Sequence, residues 1–269
     1  MKSILVFLFY LLIVQIYAQS LNELNGIYGV YNDVEFIYQY PKSNHIKGVV
    51  FLAHGCIHTV ADWWPRRTGC PSCNGLPMEM SIVNEALNRG YIPLAVENIR
   101  HACWFENDLS RSIDLIHHFY KNILKEKVPL YLLGASSGGN FIGMLAQRSD
   151  LKPAVSAMCV QISTIRIQSK TLKIPTLFIP MERDQDRYET IERIARTVET
   201  AKVLATKPRK ITDTYFSDYS FGMISATESE KIYSILEENK FIDKETGFLR
   251  SDPKASNWRL VISLFCPFP

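Results

Sequence analysis

Hydrophobic positions along the chain fall into short runs divided by turn residues, and the runs alternate between two periods. Gly26 to Tyr40 alternates apolar and polar residues, which predicts one or two antiparallel edge strands. Gly48-Val-Val-Phe-Leu-Ala53 is continuously apolar, as a strand buried on both faces must be, and it ends at His54-Gly55. Cys56 to Pro77 is loop-rich, whereas Met78 to Asn88 has helical spacing and stops at Arg89-Gly90. A strand over Tyr91 to Val96, an amphipathic helix over Asp108 to Glu126 and a strand over Pro129 to Leu133 follow. Asn140 to Gln147 reads as a helix, and Ala154 to Ile162 and Pro175 to Ile179 read as strands. The pattern closes with a helix over Arg187 to Leu204, a candidate strand over Lys210 to Phe216 and a helix around Glu228 to Glu238. Strands alternating with helices predict an α/β fold with a doubly wound, mainly parallel sheet in a single domain.

One junction in this pattern carries chemistry. Gly134-x-Ser136-x-Gly138 stands between an apolar strand and a helix. In that order it forms a nucleophile elbow, where a sharp turn exposes the serine hydroxyl and the glycines prevent clashes between strand and helix. The helix N-terminus behind it offers free N–H groups to a developing anion. The competing reading is an ordinary glycine-rich strand-to-helix turn.

The N-terminus changes the picture of where the chain works. Met1-Lys2-Ser3, then Ile4 to Ile16, gives a short basic region and an apolar core too brief to span a bilayer comfortably, closed by Ile-Tyr-Ala18. This predicts a secretory signal peptide over residues 1–18, with an uncleaved anchor as the alternative. The rest, residues 19–269, suits one α/β domain in the secretory lumen or outside the cell, with no later membrane span. Lys and Arg number 30 against 27 Asp and Glu. Lys2 is the one charge within residues 1–18, so the formal +3 of the whole chain becomes +2, no nucleic-acid-binding balance. Six cysteines (Cys56, Cys70, Cys73, Cys103, Cys159 and Cys266) suggest disulfides behind such a leader. Cys70-Pro-Ser-Cys73 also admits free thiols, or half a zinc site completed from Cys56, His58 and Cys103. Cys159 lies in an apolar run and reads as a buried thiol.

His54-Gly55 after one strand, the Ser136 elbow after another and Asp184 beyond a third together resemble the α/β-hydrolase superfamily, over roughly residues 27–240. Ala53-His-Gly-Cys-Ile-His58, Asp62-Trp-Trp-Pro65, Cys70-x-x-Cys73-x-Gly-Leu-Pro77 and Leu133-Gly-Ala-Ser-Ser-Gly-Gly139 look like a plant- and protist-type group within it. The resemblance implies Ser136 as nucleophile and the N–H groups of Cys56 and Ser137 as the oxyanion hole, but it implies hardly any substrate. The chemistry reads as hydrolysis of a small-molecule or lipid-like carboxylic ester, which needs no cofactor, with peptidase or thioesterase activity open because the same machinery serves all acyl transfer. It implies Asp184 as the acid, a residue that equally suits the N-cap of the next helix. Trp63 and Trp64 either wall an acyl pocket or pack the loop.

The base breaks the pattern. The superfamily order is Ser, acid, His, yet no histidine follows His118. Three readings stand side by side. The chain end is incomplete or altered, since relatives run past a motif like Asp252-Pro253…Trp258-Arg259 into a histidine-bearing segment. Alternatively the scaffold has lost catalysis and binds a ligand. Or a non-standard base is recruited from His58 or His101.

Overall fold

The structure, a computed structural model, describes residues 23–100, 102–165, 173–220 and 222–265. Residues 1–18, expected to form a signal peptide, and also His101 and Cys266 lie outside the described residues. Two compact units result, residues 23–206 and 207–265.

In the first unit the elements run β1 (Ile27–Tyr31), β2 (Val34–Tyr38), β3 (Gly48–Ala53), α1 (Pro77–Asn88), β4 (Tyr91–Val96), α2 (Asp108–His118), β5 (Leu130–Ala135), α3 (Ser137–Leu145), β6 (Val155–Gln161), β7 (Thr176–Ile179), α4 (Gln185–Ala195) and β8 (Ala201–Val203). They build one eight-stranded sheet of order β1-β2-β4-β3-β5-β6-β7-β8. β1, β2 and β4 pair antiparallel, and every pair from β4 across to β8 is parallel. The predicted α/β class with a mainly parallel sheet is the one observed.

Both faces are covered, because side chains alternate across each strand. Val49, Phe51 and Ala53 of β3 pack with Ile113 and Ile116 of α2 and Phe141 and Ile142 of α3. Leu52 packs the other way, with Met80 and Val83 of α1, Trp63, Trp64, Cys70 and Cys73. Trp64 is fully buried and donates from Nε1 to Gln39 Oε1 at 2.9 Å, and Trp63 is nearly as deep. Both tryptophans belong to the core and not to the wall of an acyl pocket.

Elsewhere the pattern needs correction. The helix expected to Leu204 ends at Ala195, and Ala201–Val203 joins the sheet beside β7. Thr197-Val-Glu-Thr200 supplies the β-branched residues that favour that exit. Of the two strands expected before Tyr40, β1 is the edge and β2 lies inside, between β1 and β4. The helix from Asp108 passes into a π-helical turn, Phe119–Leu124, and stops at Lys125 with φ +59°.

The second unit holds α5 (Tyr215–Tyr219), α6 (Ala226–Glu238) and α7 (Trp258–Phe265), packed around Ile211, Ile232, Ile235, Leu236, Ile242 and Ile262. No strand forms over Lys210 to Phe216. Ile211 N–H bonds the Gly247 carbonyl at 2.8 Å, and Thr212, Asp213 and Thr214 lead into α5. Such short polar side chains favour turns over strands.

Candidate active site

β5 delivers Ser136 into a backbone bend at φ +54°, ψ −118°, a conformation that costs an L-residue strain and recurs where function demands it. Its N–H is held by the Gln161 carbonyl at the end of β6 (3.0 Å), and its own carbonyl accepts from Asn140 N–H (3.2 Å). The bend requires glycine on both sides. A Cβ at Gly134 would lie 2.3 Å from the Gly138 carbonyl oxygen, and a Cβ at Gly138 would lie 2.3 Å from the Ala53 oxygen and 2.4 Å from that of His54. Strand, helix and the end of β3 therefore meet at van der Waals contact, with the half-buried Ser136 between them.

The loop after β3 comes to the same point. A Cβ built at Gly55 would lie 3.7 Å from Ser136 Cβ and 3.6 Å from His58 Cδ2. Gly55, Ser136 and His58 thus flank one small gap. The loop is fixed from several sides. Cys56 is bonded to Cys103, Ile57 N–H bonds the Ala102 carbonyl (3.1 Å), and His58 N–H bonds the Gly55 carbonyl (3.3 Å). These ties hold Ile57 at φ +66° although it is β-branched and 90% exposed. The facing segment is held in turn by Asp108, whose carboxylate accepts from Ile99 and Phe105 N–H groups, and by Asn98, which accepts from Ala102 N–H.

Two amides near this gap keep a free N–H among the described residues. Ser137 is the first residue of α3, so its N–H has no intrahelical acceptor. Cys56 N–H donates to no described group. His54 is a support: it is buried, with Nδ1 donating to the Gly55 carbonyl (2.8 Å) and Nε2 against the Glu97 carboxylate (3.0 Å), which also accepts from Val60 N–H. Asp184 occupies the N-cap position of α4, but its side chain makes no cap bond and pairs instead with Arg187 Nε at 3.0 Å. Among the described residues the structure brings no histidine to Asp184.

Sequence reasoning missed one member of this neighbourhood. His58 Nδ1 lies 3.0 Å from Asp62 Oδ2, and the same carboxylate accepts from Thr59 N–H (3.1 Å) and Asn74 Nδ2 (3.1 Å). The available signal was Thr59-x-x-Asp62, a capping box opening a short 3-10 turn over Val60–Trp63, which puts the Asp62 carboxylate beside the chain just before the turn, where His58 stands.

The cysteines divide. Cys70 and Cys73 form a disulfide, as Cys56 and Cys103 do, and among the described residues no three metal-ligating side chains gather. Cys159 keeps a free thiol on β6, half-buried, and burial pushes its pKa up to about 11. The folded protein holds that proton above pH 9, where an unfolded chain releases it, so this group withdraws stability as pH rises from about 9 toward 11. Native-state alkylation with iodoacetamide is therefore expected to stay slow at pH 8 and to keep accelerating past pH 10. A plateau near pH 9 would contradict the buried thiol.

No family model matches the sequence. No curated protein matches it either. Solved structures do resemble it in backbone. A monoglyceride lipase from Saccharomyces cerevisiae shares 12% identity over 77% of this chain and 95% of its own, with a TM-score of 0.50. A dienelactone hydrolase from Anabaena variabilis shares 14% over 85% and 99%, with a TM-score of 0.49. Architecture and strand order are those of the α/β-hydrolase fold.

Proposed function

We propose that the chain is a serine hydrolase of carboxylic esters, with Ser136 as nucleophile and the N–H groups of Cys56 and Ser137 as the oxyanion hole. One observation carries this reading: a strained, half-buried serine at the N-terminus of α3, beside Gly55, with its hydroxyl bonded to no described group. Strain at a position where glycine would cost nothing is a reason to look for function in the side chain. The motifs from Ala53 to Pro77 and from Leu133 to Gly139 align this reading with the plant- and protist-type group. The two disulfides and the basic-apolar leader support work in the secretory lumen or outside the cell. Small-molecule or lipid-like esters are the substrates, and no cofactor takes part.

A second reading has its own observation. Asp184 stands where this fold offers its acid, yet its carboxylate is engaged by Arg187, as suits a scaffold that binds a ligand without turning it over. A fluorophosphonate probe separates the two. The native protein is expected to take one stoichiometric label, and Ser136→Ala none. Labelling that survives Ser136→Ala would overturn Ser136 as the nucleophile, and native protein that stays unlabelled while folded would exclude the enzyme.

A further inference from the structure

We infer that His58 is the general base for Ser136 and that Asp62 is the carboxylate that positions it, so that both arrive on the loop after β3 and no later histidine is needed. This rests on the reading of Ser136 as nucleophile. The ring geometry carries it. With Asp62 Oδ2 accepting from Nδ1 at 3.0 Å, the neutral imidazole keeps its proton on Nδ1 and its lone pair on Nε2, the form a base requires. Nε2 is bonded to Cδ2, the atom that borders the gap at Gly55 shared with Ser136. The His58 side chain is 42% exposed, open to a substrate, whereas the Asp62 carboxylate is buried and fixed by two further donors, Thr59 N–H and Asn74 Nδ2. A buried carboxylate held on three sides has little freedom except to orient its histidine. Glu79 of α1 is the other charged group acting here, and burial raises its own carboxyl above the usual range.

The other described histidines are elsewhere or engaged. Both ring nitrogens of His54 are taken. On α2, His117 Nε2 accepts from Lys152 N–H, and His118 bonds Asn122 and stacks on Tyr31. His45 precedes β3, about 20 Å from its far end at the rise of an extended strand.

In the reaction, His58 Nε2 takes the proton from Ser136 Oγ as Oγ bonds the acyl carbon, and the carbonyl oxygen becomes the anion held by Cys56 and Ser137. Collapse breaks the bond to the alcohol oxygen, which leaves with the proton from Nε2. A water then gives its proton to Nε2 while its oxygen bonds the acyl carbon, and the acid departs as Ser136 Oγ recovers its hydrogen.

The test compares p-nitrophenyl acetate turnover and fluorophosphonate labelling rates in the native protein, His58→Ala, Asp62→Asn and the double variant, with thermal melts for each. His58→Ala is expected to slow both rates by about 10² to 10⁴, and added imidazole should restore part of the loss there but none in Ser136→Ala. Asp62→Asn should lower kcat with KM nearly unchanged, and have no further effect in the His58→Ala background, because it acts through that ring. A native protein labelled at Ser136, with His58→Ala labelled equally fast or slowed beyond rescue by imidazole, overturns the base and leaves the ester-hydrolase reading standing. A folded native protein that takes no label overturns both.

Discussion

Gly138→Ala is expected to destabilise the fold by on the order of 3 kcal/mol and to abolish Ser136 labelling in whatever fraction stays folded. The added methyl would meet the carbonyl oxygens of Ala53 and His54 at 2.3 and 2.4 Å, both backbone atoms at the end of β3. Neither has a flexible end that can swing aside. α3 must therefore lift from the sheet, or the loop carrying Cys56 must retreat, and either motion separates the elbow from its proposed oxyanion donors. Gly55→Ala is the informative contrast. Its methyl finds only ordinary contacts, 3.6 Å to His58 Cδ2 and 3.7 Å to Ser136 Cβ, so its urea midpoint should stay close to native. That methyl nevertheless fills the gap between ring and elbow, and labelling should fall steeply. Equal stability in Gly138→Ala and native protein by urea unfolding would refute the close packing on which the site is built.

The elements that position this site were legible because each had a physical signature confined to a few residues. β3 and β4 are runs with no polar interruption, buried on both faces, and their observed bounds coincide with the apolar runs. The elbow was legible because strand, glycines and helix follow one another in sequence. Less was visible where the deciding partner is remote. Ala201–Val203 has weak strand character alone and becomes a strand by pairing with Thr176–Phe178. The role of Trp63 and Trp64 turned on which face of the sheet their loop covers, which local pattern does not encode. The Asp62 cluster draws on Thr59, Asn74 and His58, and its convergence depends on the fold of a loop with no regular period. Asp184 illustrates the reverse: its place after β7 was readable, but its pairing with Arg187 was not singled out.

Breaking the Cys56–Cys103 bond is expected to cost more than breaking Cys70–Cys73, and to cost function as well. The first bond closes a separation of 47 residues and the second one of 3. On a chain-entropy account these correspond to about 4 and about 2 kcal/mol of restriction lost from the unfolded state. The functional difference has a separate origin. Cys56 carries a proposed oxyanion amide and adjoins Ile57, whose φ of +66° is unfavourable for a β-branched residue. With the disulfide gone, only the Ile57 bond to the Ala102 carbonyl and the long His58 bond to the Gly55 carbonyl hold that backbone against relaxing toward negative φ, and relaxation would reorient the Cys56 N–H proposed as an oxyanion donor. Cys70 and Cys73 sit in the core beside Trp63 and Trp64, in a cluster that does not include Gly55, Cys56 or Ile57. Cys56→Ser with Cys103→Ser should therefore lower both the urea midpoint and the labelling rate, while Cys70→Ala with Cys73→Ala lowers the midpoint less and spares the rate of the folded protein. Ile57→Gly in the Cys56→Ser, Cys103→Ser background tests the link: it removes the strain that drives relaxation, so part of the labelling rate should return. A rate that is unaffected by loss of the Cys56–Cys103 bond would show that the loop holds its oxyanion geometry without the tether.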